Sequence, residues 1–399
     1  MAFSQFTSEV YIYDAVRTPK GRVRRNGGTL SGVPPYELLA GLLRELTRRG
    51  LDPEAVGDTV IGTSTAAGDQ GGDIARSAIL WAGWPDTTPG GVVSRLCCSG
   101  FDAIGGAAAR VAGGVEDLVV AGGVESMSRV PMLADTPAFA YDGQLQDRTG
   151  FVTIGVSADL TAADHGYTRG ELDAYAVTSH QRSLAAPDSP SVIAVQADDK
   201  VLLTRDEGAR ADASIETFGQ LPALFADDPS WARVARRLPD SVRPDGGLHT
   251  VATAPQLADG ACAVVLGSRK AGDLLGLTPR GRILAAVQTA VRSPRLTAAL
   301  AATGTALSRT GLTPGDLDVI EANESFAVSP LLLTREFDLD PATVNPRGGA
   351  VATGHPLGAS GGCLLVNALD ELEARSAEFG LLAIPGGLGL GAAIVITRN

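Results

Sequence analysis

The 399-residue sequence predicts an α/β fold made of two halves with one element order and a loop domain inserted between them. Three observations carry that expectation. Apolar runs of four to seven residues alternate with helix-period stretches, the pattern of strands and helices packed in layers. The order of elements before residue 125 recurs after residue 276, the mark of a duplicated unit. Between residues 126 and 250 the chain turns richer in Asp, Pro and polar side chains.

In chain order, VYIYDAV (10–16) reads as a strand, PYELLAGLLRELTRRG (35–50) as an amphipathic helix and DTVIGTS (58–64) as a second strand. SGFDAIGGAAARVAGG (99–114) is a helix of small residues, and EDLVVAGG (116–123) a strand closed by a glycine pair. The second half repeats the plan, with GRILAAVQT (281–289) as strand and PRLTAALAATGTALSRTG (294–311) as helix. GLTPGDLDVIEANES (311–325) mirrors GLDPEAVGDTVIGTS (50–64), each with Gly-Leu-x-Pro ahead of a strand. ATGHPLGASGGCLLVNALDELEA (352–374) mirrors the turn and helix at 97–114, and GLLAIPGG (380–387) mirrors EDLVVAGG. VATAPQLADGACAVVLGS (251–268) returns to strand composition. The expected division is therefore 1–125 with 251–275 as one half, 126–250 as the insertion, and 276–399 as the other half.

The net charge of −12 argues against a nucleic-acid partner, which calls for a basic face, but leaves room for a phosphorylated ligand held by a few arginines. MAFSQFTSEV lacks the basic and apolar segments of a signal peptide, and no run reaches the ~18 apolar residues of a membrane span. Neither membrane association nor export is expected. The four cysteines, Cys97, Cys98, Cys262 and Cys363, have no framework spacing and no CxxC, so free thiols in a reducing cytoplasm are expected.

Two of those cysteines are adjacent, in VVSRLCCSGFD (93–103). In the duplicated register Cys97 and His355 occupy equivalent positions, each in a turn that feeds a helix. A thiol at a helix start is expected to have a lowered pKa, and a nearby imidazole completes an activated nucleophile. Gly354, Pro356 and Gly358 give His355 a tight, fixed turn. Asn323 and Glu324 close a strand in EANESFA, where an Asn can orient a water or donate to an oxyanion and Glu324 can fix its neighbours.

SRLCCSG, NESFA, NPRGGAVATGHPLGASGG and GGLGLGAA, in this order, resemble the thiolases, and RTPKG, GGDIARSAILWAG, GGVESMSRVPM and LADGACAVV extend the likeness over nearly the whole chain. The resemblance implies layered α-β-α-β-α halves, an inserted domain that binds coenzyme A, a homodimer or homotetramer, acyl-CoA as substrate, and no metal or resident cofactor. Residue by residue, it makes Cys97 the S-acylated nucleophile and Cys98 a packing residue. It makes His355 the activating histidine and Asn323 the holder of an oxyanion-hole water. The N–H groups of Cys97 and Gly387 become a second oxyanion hole.

Two departures stand out. The family's last motif begins with a second cysteine, a general acid/base, and the ungapped match puts Pro385 there. Cys262 and Cys363 do not substitute for it in sequence. In the insertion, Arg210 falls on an arginine that contacts the nucleotide of CoA, whereas Gln220 and Pro222 replace the basic residues that follow. The extra segment near 226–245 carries Arg233, Arg236, Arg237 and Arg243, which could form a phosphate site, contact an acyl carrier or pathway enzyme, or simply line a solvated face. The expected function is acyl transfer from acyl-CoA through Cys97 to an acceptor. An ordinary ketoacyl-CoA thiolase with a substitute base, and a non-catalytic acyl-CoA-binding homologue, are the alternatives.

Overall fold

The computed structural model describes residues 3–292 and 294–398; Met1, Ala2, Ser293 and Asn399 of the sequence-assigned halves lie outside the described residues. Its strands are β1 (Val10–Arg17), β2 (Gly21–Arg22), β3 (Asp58–Gly62), β4 (Gly91–Val93), β5 (Leu118–Ser126), β6 (Val195–Ala197), β7 (Lys200–Leu203), β8 (Ala258–Gly267), β9 (Gly281–Ala290), β10 (Val319–Ala322), β11 (Phe379–Pro385) and β12 (Leu390–Arg398). One sheet runs β10-β11-β12-β9-β1-β8-β5-β3-β4, with β2 on β8, while β6 and β7 pair separately.

The order is symmetric about the β1–β9 pair. Outward from it, β9, β12, β11 and β10 match β1, β8, β5 and β3. Directions match as well: β10–β11 and β3–β5 are parallel, and the pairs inside them are antiparallel. This is the duplicated plan that the mirrored segments predict.

Each half covers one face with its own helices. Leu39, Leu42 and Leu43 of helix α1 (Pro35–Arg48) and Ile79 of helix α2 (Ile74–Ala82) pack on Val120 and Val265. Ala302 and Ala306 of the helix Ala298–Thr310 pack on Val287 and Val395 in the other half. Between the halves lie helix α3 (Ser99–Ala112) and the helix Ser360–Arg375. Ile104, Ala107, Leu365 and Leu369 share one core with Val119 and Val264 on one side and Leu382 and Ile394 on the other. The layers therefore read α-β-α-β-α, although β1 and β9 pair through only three residues, Val10 to Ile12, to join the strands into one sheet. Each fully buried Leu or Ile in these layers contributes about 1.5–3 kcal/mol.

Small residues let the middle helices touch. A Cβ on Gly361 would stand 2.6 Å from the Phe101 nitrogen, and one on Gly100 would stand 2.7 Å from the Gly358 oxygen. The glycines in SGF and GASGG are thus a packing requirement.

Element ends shift in ways that matter for the site. β5 runs on to Ser126 because Val124, Glu125 and Ser126 keep pairing with β8, which carries Glu125 to the strand's end. β10 stops at Ala322 and leaves Asn323 and Glu324 just beyond it. The helix expected from 294 begins at Ala298, since Leu296 N–H bonds Thr161 Oγ1 in a preceding turn.

Residues 126–250 include the helices Ile154–Asp164 and Arg169–Ala185, the β6–β7 hairpin and the short helices Ile215–Gly219 and Trp231–Arg237. The last docks through Trp231 and Val234 onto Val152, Val156 and Leu160.

Candidate active site

Residues 94–98 turn tightly between β4 and α3. Cys98 N–H donates to Arg95 O at 3.0 Å and Ser99 N–H to Leu96 O at 3.0 Å. The Ser99 hydroxyl donates to Leu96 O (2.6 Å) and accepts from Arg95 N–H (2.8 Å). These bonds hold Leu96 at φ +50°, a conformation that is strained for a branched side chain. The vicinal cysteines then diverge. The Cys98 thiol is fully buried and faces Ile384 O at 3.8 Å, while Cys97 remains 6% exposed.

The thiol pKa expected from a helix start needs correction. α3 begins at Ser99, two residues beyond Cys97, and Cys97 is buried. Burial pushes its thiol up to about 11, against the hydrogen bond from Gly387 N–H, and the Glu125 charge adds to the rise. Desolvation wins over the helix end. We therefore expect Cys97 alkylation by iodoacetamide to climb with pH and level off only near pH 11. A plateau below pH 8 would show a preformed thiolate.

The opposite wall comes from the second half. β11 ends at Pro385, opposite Gly391, and Gly386 N–H donates to Leu390 O at 2.7 Å. A Cβ on Gly386 would stand 3.2 Å from Cys98 Sγ and 3.7 Å from the Cys97 Cβ, so this loop lies directly on the cysteine turn. It brings the Gly387 N–H beside the Cys97 thiol, where it works against the rise in the thiol's pKa.

His355 leads into Gly358, whose carbonyl packs on Gly100 of α3. Its N–H donates to Gln256 O at 2.8 Å. Gly354 stands at φ +103°, and a Cβ there would meet Ala258 Cβ at 2.7 Å, so only glycine fits ahead of the histidine. The ring is buried, its Nδ1 lies 2.6 Å from Ser360 Oγ, and its Nε2 has no partner among the described residues. Burial, reinforced by the Lys20 charge, lowers its pKa to about 3, so the imidazole is neutral at physiological pH. With the proton on Nδ1 donated to Ser360, Nε2 presents a lone pair.

Asn323 Nδ2 donates to Ser325 Oγ at 2.7 Å, and Ser325 Oγ donates to Pro385 O at 2.9 Å. One serine thus fixes both the asparagine amide and the loop that carries Gly387. Glu324 lies fully buried and accepts from Tyr175, Ser179, Asn345 and Val351 N–H. Glu125 is its counterpart, accepting from Ser64 N–H, Thr65 N–H, Gln70 and Gly358 N–H. It ties the histidine turn to the first half. Sequence reasoning missed Glu125, Ser325 and Ser360 as site supports. Only Glu125 carried a signal, a charge at the end of an otherwise apolar strand.

Arg210 lies on a different loop. Its N–H donates to His180 Nδ1 at 3.0 Å and its guanidinium stands 6.0 Å from the Phe218 ring centroid. That loop docks on the helix Ala350–Thr353, because Gln256 Nε2 donates to both Gly208 O and Ala352 O. Arg233 and Arg236 pair with Asp147, and Arg243 stacks over Trp231. Cys262 and Cys363 pack with Ala359 in a separate cluster, where a hydrogen bond from Cys262 lowers the Cys363 pKa. All four cysteines are free. Among the described residues no group of three or more His, Cys, Asp or Glu is placed to hold a metal, and no helix is long and apolar enough to cross a membrane.

Comparison with known proteins adds to this geometry. Residues 10–231 match the family described as thiolase, N-terminal domain, and residues 277–398 match thiolase, C-terminal domain. A β-ketoadipyl-CoA thiolase of Escherichia coli is 36% identical over 420 residues, covering 98% of this chain and 99% of the relative. A steroid 3-ketoacyl-CoA thiolase of Mycobacterium tuberculosis is 36% identical over 409 residues, covering 98% and 94%. The crystal structure of the Bacillus anthracis acetyl-CoA acetyltransferase superposes with a TM-score of 0.85 at 31% identity, over 99% of this chain and 100% of that one.

Proposed function

The chain belongs to the thiolase family and is an acyltransferase that works on acyl-CoA through a cysteine, and we propose that Cys97 is that nucleophile. One observation carries the assignment: the Gly386–Gly387 loop of the second half closes directly over the Leu96–Cys97 turn of the first, bringing the Gly387 N–H beside the thiol. At rest the thiol and the imidazole are both neutral. As Sγ attacks the thioester carbonyl carbon, its proton passes to His355 Nε2 and the carbonyl oxygen becomes an oxyanion. Backbone donors at such an oxygen are worth ~10²–10³ in rate each. Collapse breaks the carbon–sulfur bond to CoA, and the buried imidazolium returns its proton to the departing sulfur. Asn323, held by Ser325, positions a water that with His355 makes up the first oxyanion hole, the Cys97 and Gly387 N–H groups being the second.

Arg210 takes the nucleotide end of CoA in this reading. Two features support it: the Arg210 loop docks beside the histidine turn, and the residue stays half-buried rather than solvated. The four reduced cysteines support a cytoplasmic setting. The terminal position of β4 in its sheet and the exposure of Trp81 (58%) support assembly as a homodimer or homotetramer. Relatives named for β-ketoadipyl-CoA take a thioester whose acyl chain ends in a carboxylate, which supports an acyl group with a distal carboxylate here.

The test is covalent. Mixing the protein with acetyl-CoA and following intact mass should give one acyl group per chain with release of one CoA. His355→Ala should slow its appearance by ~10²-fold or more, as loss of a general base does. An unchanged rate would remove His355 from that role.

A further inference from the structure

A cavity of about 370 Å³ opens between the short helix Trp231–Arg237 of the insertion and the segment that follows β9. Four arginines line it, Arg233 and Arg237 from the helix and Arg292 and Arg295 from the segment, around an apolar floor that includes Val152 and Val234. In a chain of net charge −12, four guanidinium groups around one cavity, two of them ion-paired, leave a local excess of positive charge. Two of them are fixed walls. Arg233 pairs with Asp147 at 3.0 Å and donates to Phe151 O, and Arg295 pairs with Asp164 at 2.7 Å. Arg237 and Arg292 form no ion pair among the described residues and are exposed at the rim. They are free to turn inward.

The cavity adjoins the catalytic loop. Val291, next to Arg292, donates its N–H to Gly389 O at 2.8 Å. Gly389 belongs to the same short turn as Gly387, which packs on the Leu96 side chain of the cysteine turn. The neighbouring turn at Leu296 is tied to Thr161 of the helix Ile154–Asp164, whose preceding residues form the floor. The cavity therefore lies on the far side of the Gly387–Gly389 turn from Cys97.

We infer that this cavity is an acyl subsite in which Arg237 and Arg292 clamp a carboxylate at the far end of the acyl chain, an inference that rests on the proposed acyl transfer at Cys97. The apolar floor suits methylene groups. Planar guanidinium forks suit a carboxylate, which accepts two parallel N–H bonds from one arginine. The same arginines could instead meet the phosphates of CoA, and that source of oxyanion must be separated by experiment.

Binding to Cys97→Ala, which cannot turn over, is measured by calorimetry with succinyl-CoA and butyryl-CoA, thioesters of matched length with and without the terminal carboxylate. The inference expects succinyl-CoA to bind at least about tenfold more tightly. Arg237→Gln and Arg292→Gln should each cut that ratio several-fold, the double variant should bring it close to one, and Arg292→Lys should retain part of it. Equal affinity for the two thioesters in the parent overturns the inference. So does a variant that weakens both equally while 3′-dephospho-CoA thioesters escape the effect, because the cavity then serves the CoA phosphates. Thermal melting of each variant separates these outcomes from loss of fold. Acylation of wild type is read in parallel: a succinyl preference without any acyl-enzyme keeps the subsite and removes the nucleophile assignment.

Discussion

Cys97→Ala abolishes the acyl-enzyme, while Cys98→Ala retains most of it; intact mass after incubation with acyl-CoA, with peptide mapping of the adduct, should show both. The asymmetry follows from the turn at 94–98. Leu96 at φ +50° sends the first thiol beneath the Gly387 N–H and the second into the core against Ile384 O. Cys98 makes no contact that acyl transfer needs, and removing its sulfur leaves a small cavity worth roughly 1 kcal/mol. An adduct mapped to Cys98, or an acylated Cys97→Ala, would overturn the division of roles.

Thiolysis of acetoacetyl-CoA should run far below the usual enzymatic range of ~1–10³ s⁻¹, even though Cys97 acylates readily. The loop facing Cys97 begins at Pro385, a residue with no titratable group, where the thiolase resemblance calls for an acid/base cysteine. Proton transfer of that kind is worth ~10²–10⁴ in rate. Without it the second half-reaction relies on His355, on water or on the acceptor, so a potent nucleophile such as an amine is the favoured acceptor. Pro385→Cys should raise thiolysis, within the limit set by a ring that fixes φ and by Ser325, which already grips the residue's carbonyl. A stopped-flow rate for wild type in the ordinary range would defeat the idea, and the protein would then be a working thiolase with a different base.

Much of this architecture was legible in the residues. The mirrored segments gave the duplication and the succession of strands and helices in each half, because each copy must bury the same apolar faces whatever its surface; the order of the strands across the sheet did not follow from them. That Cys97 and His355 sit in tight turns ahead of helices and Asn323 just past a strand end was legible from the glycines and apolar runs around them. Their supports were not. Glu125 meets Gly358 from 233 residues away, and Ser325 meets Pro385 from 60 away, so neither partnership leaves a local pattern. The Cys97 thiol shows the same limit from the other side. Its nearness to a helix start is a local fact, but its burial depends on a loop from the opposite end of the chain, and burial decides the pKa.

The central position of β1 has a consequence for biosynthesis. Arg17 faces Cys262 and Tyr11 faces Gly267, while the strand's other neighbour is β9. On the ribosome β1 emerges well before its strand partners, which lie roughly 250 residues or more downstream. At 5–20 residues per second it waits roughly 12–50 s for its first partner strand in the sheet. Throughout that interval VYIYDAVR is an apolar strand with two open edges, the kind of segment that invites pairing with other chains. The strand that joins the two finished halves is thus also the one most dependent on protection while the chain is being made.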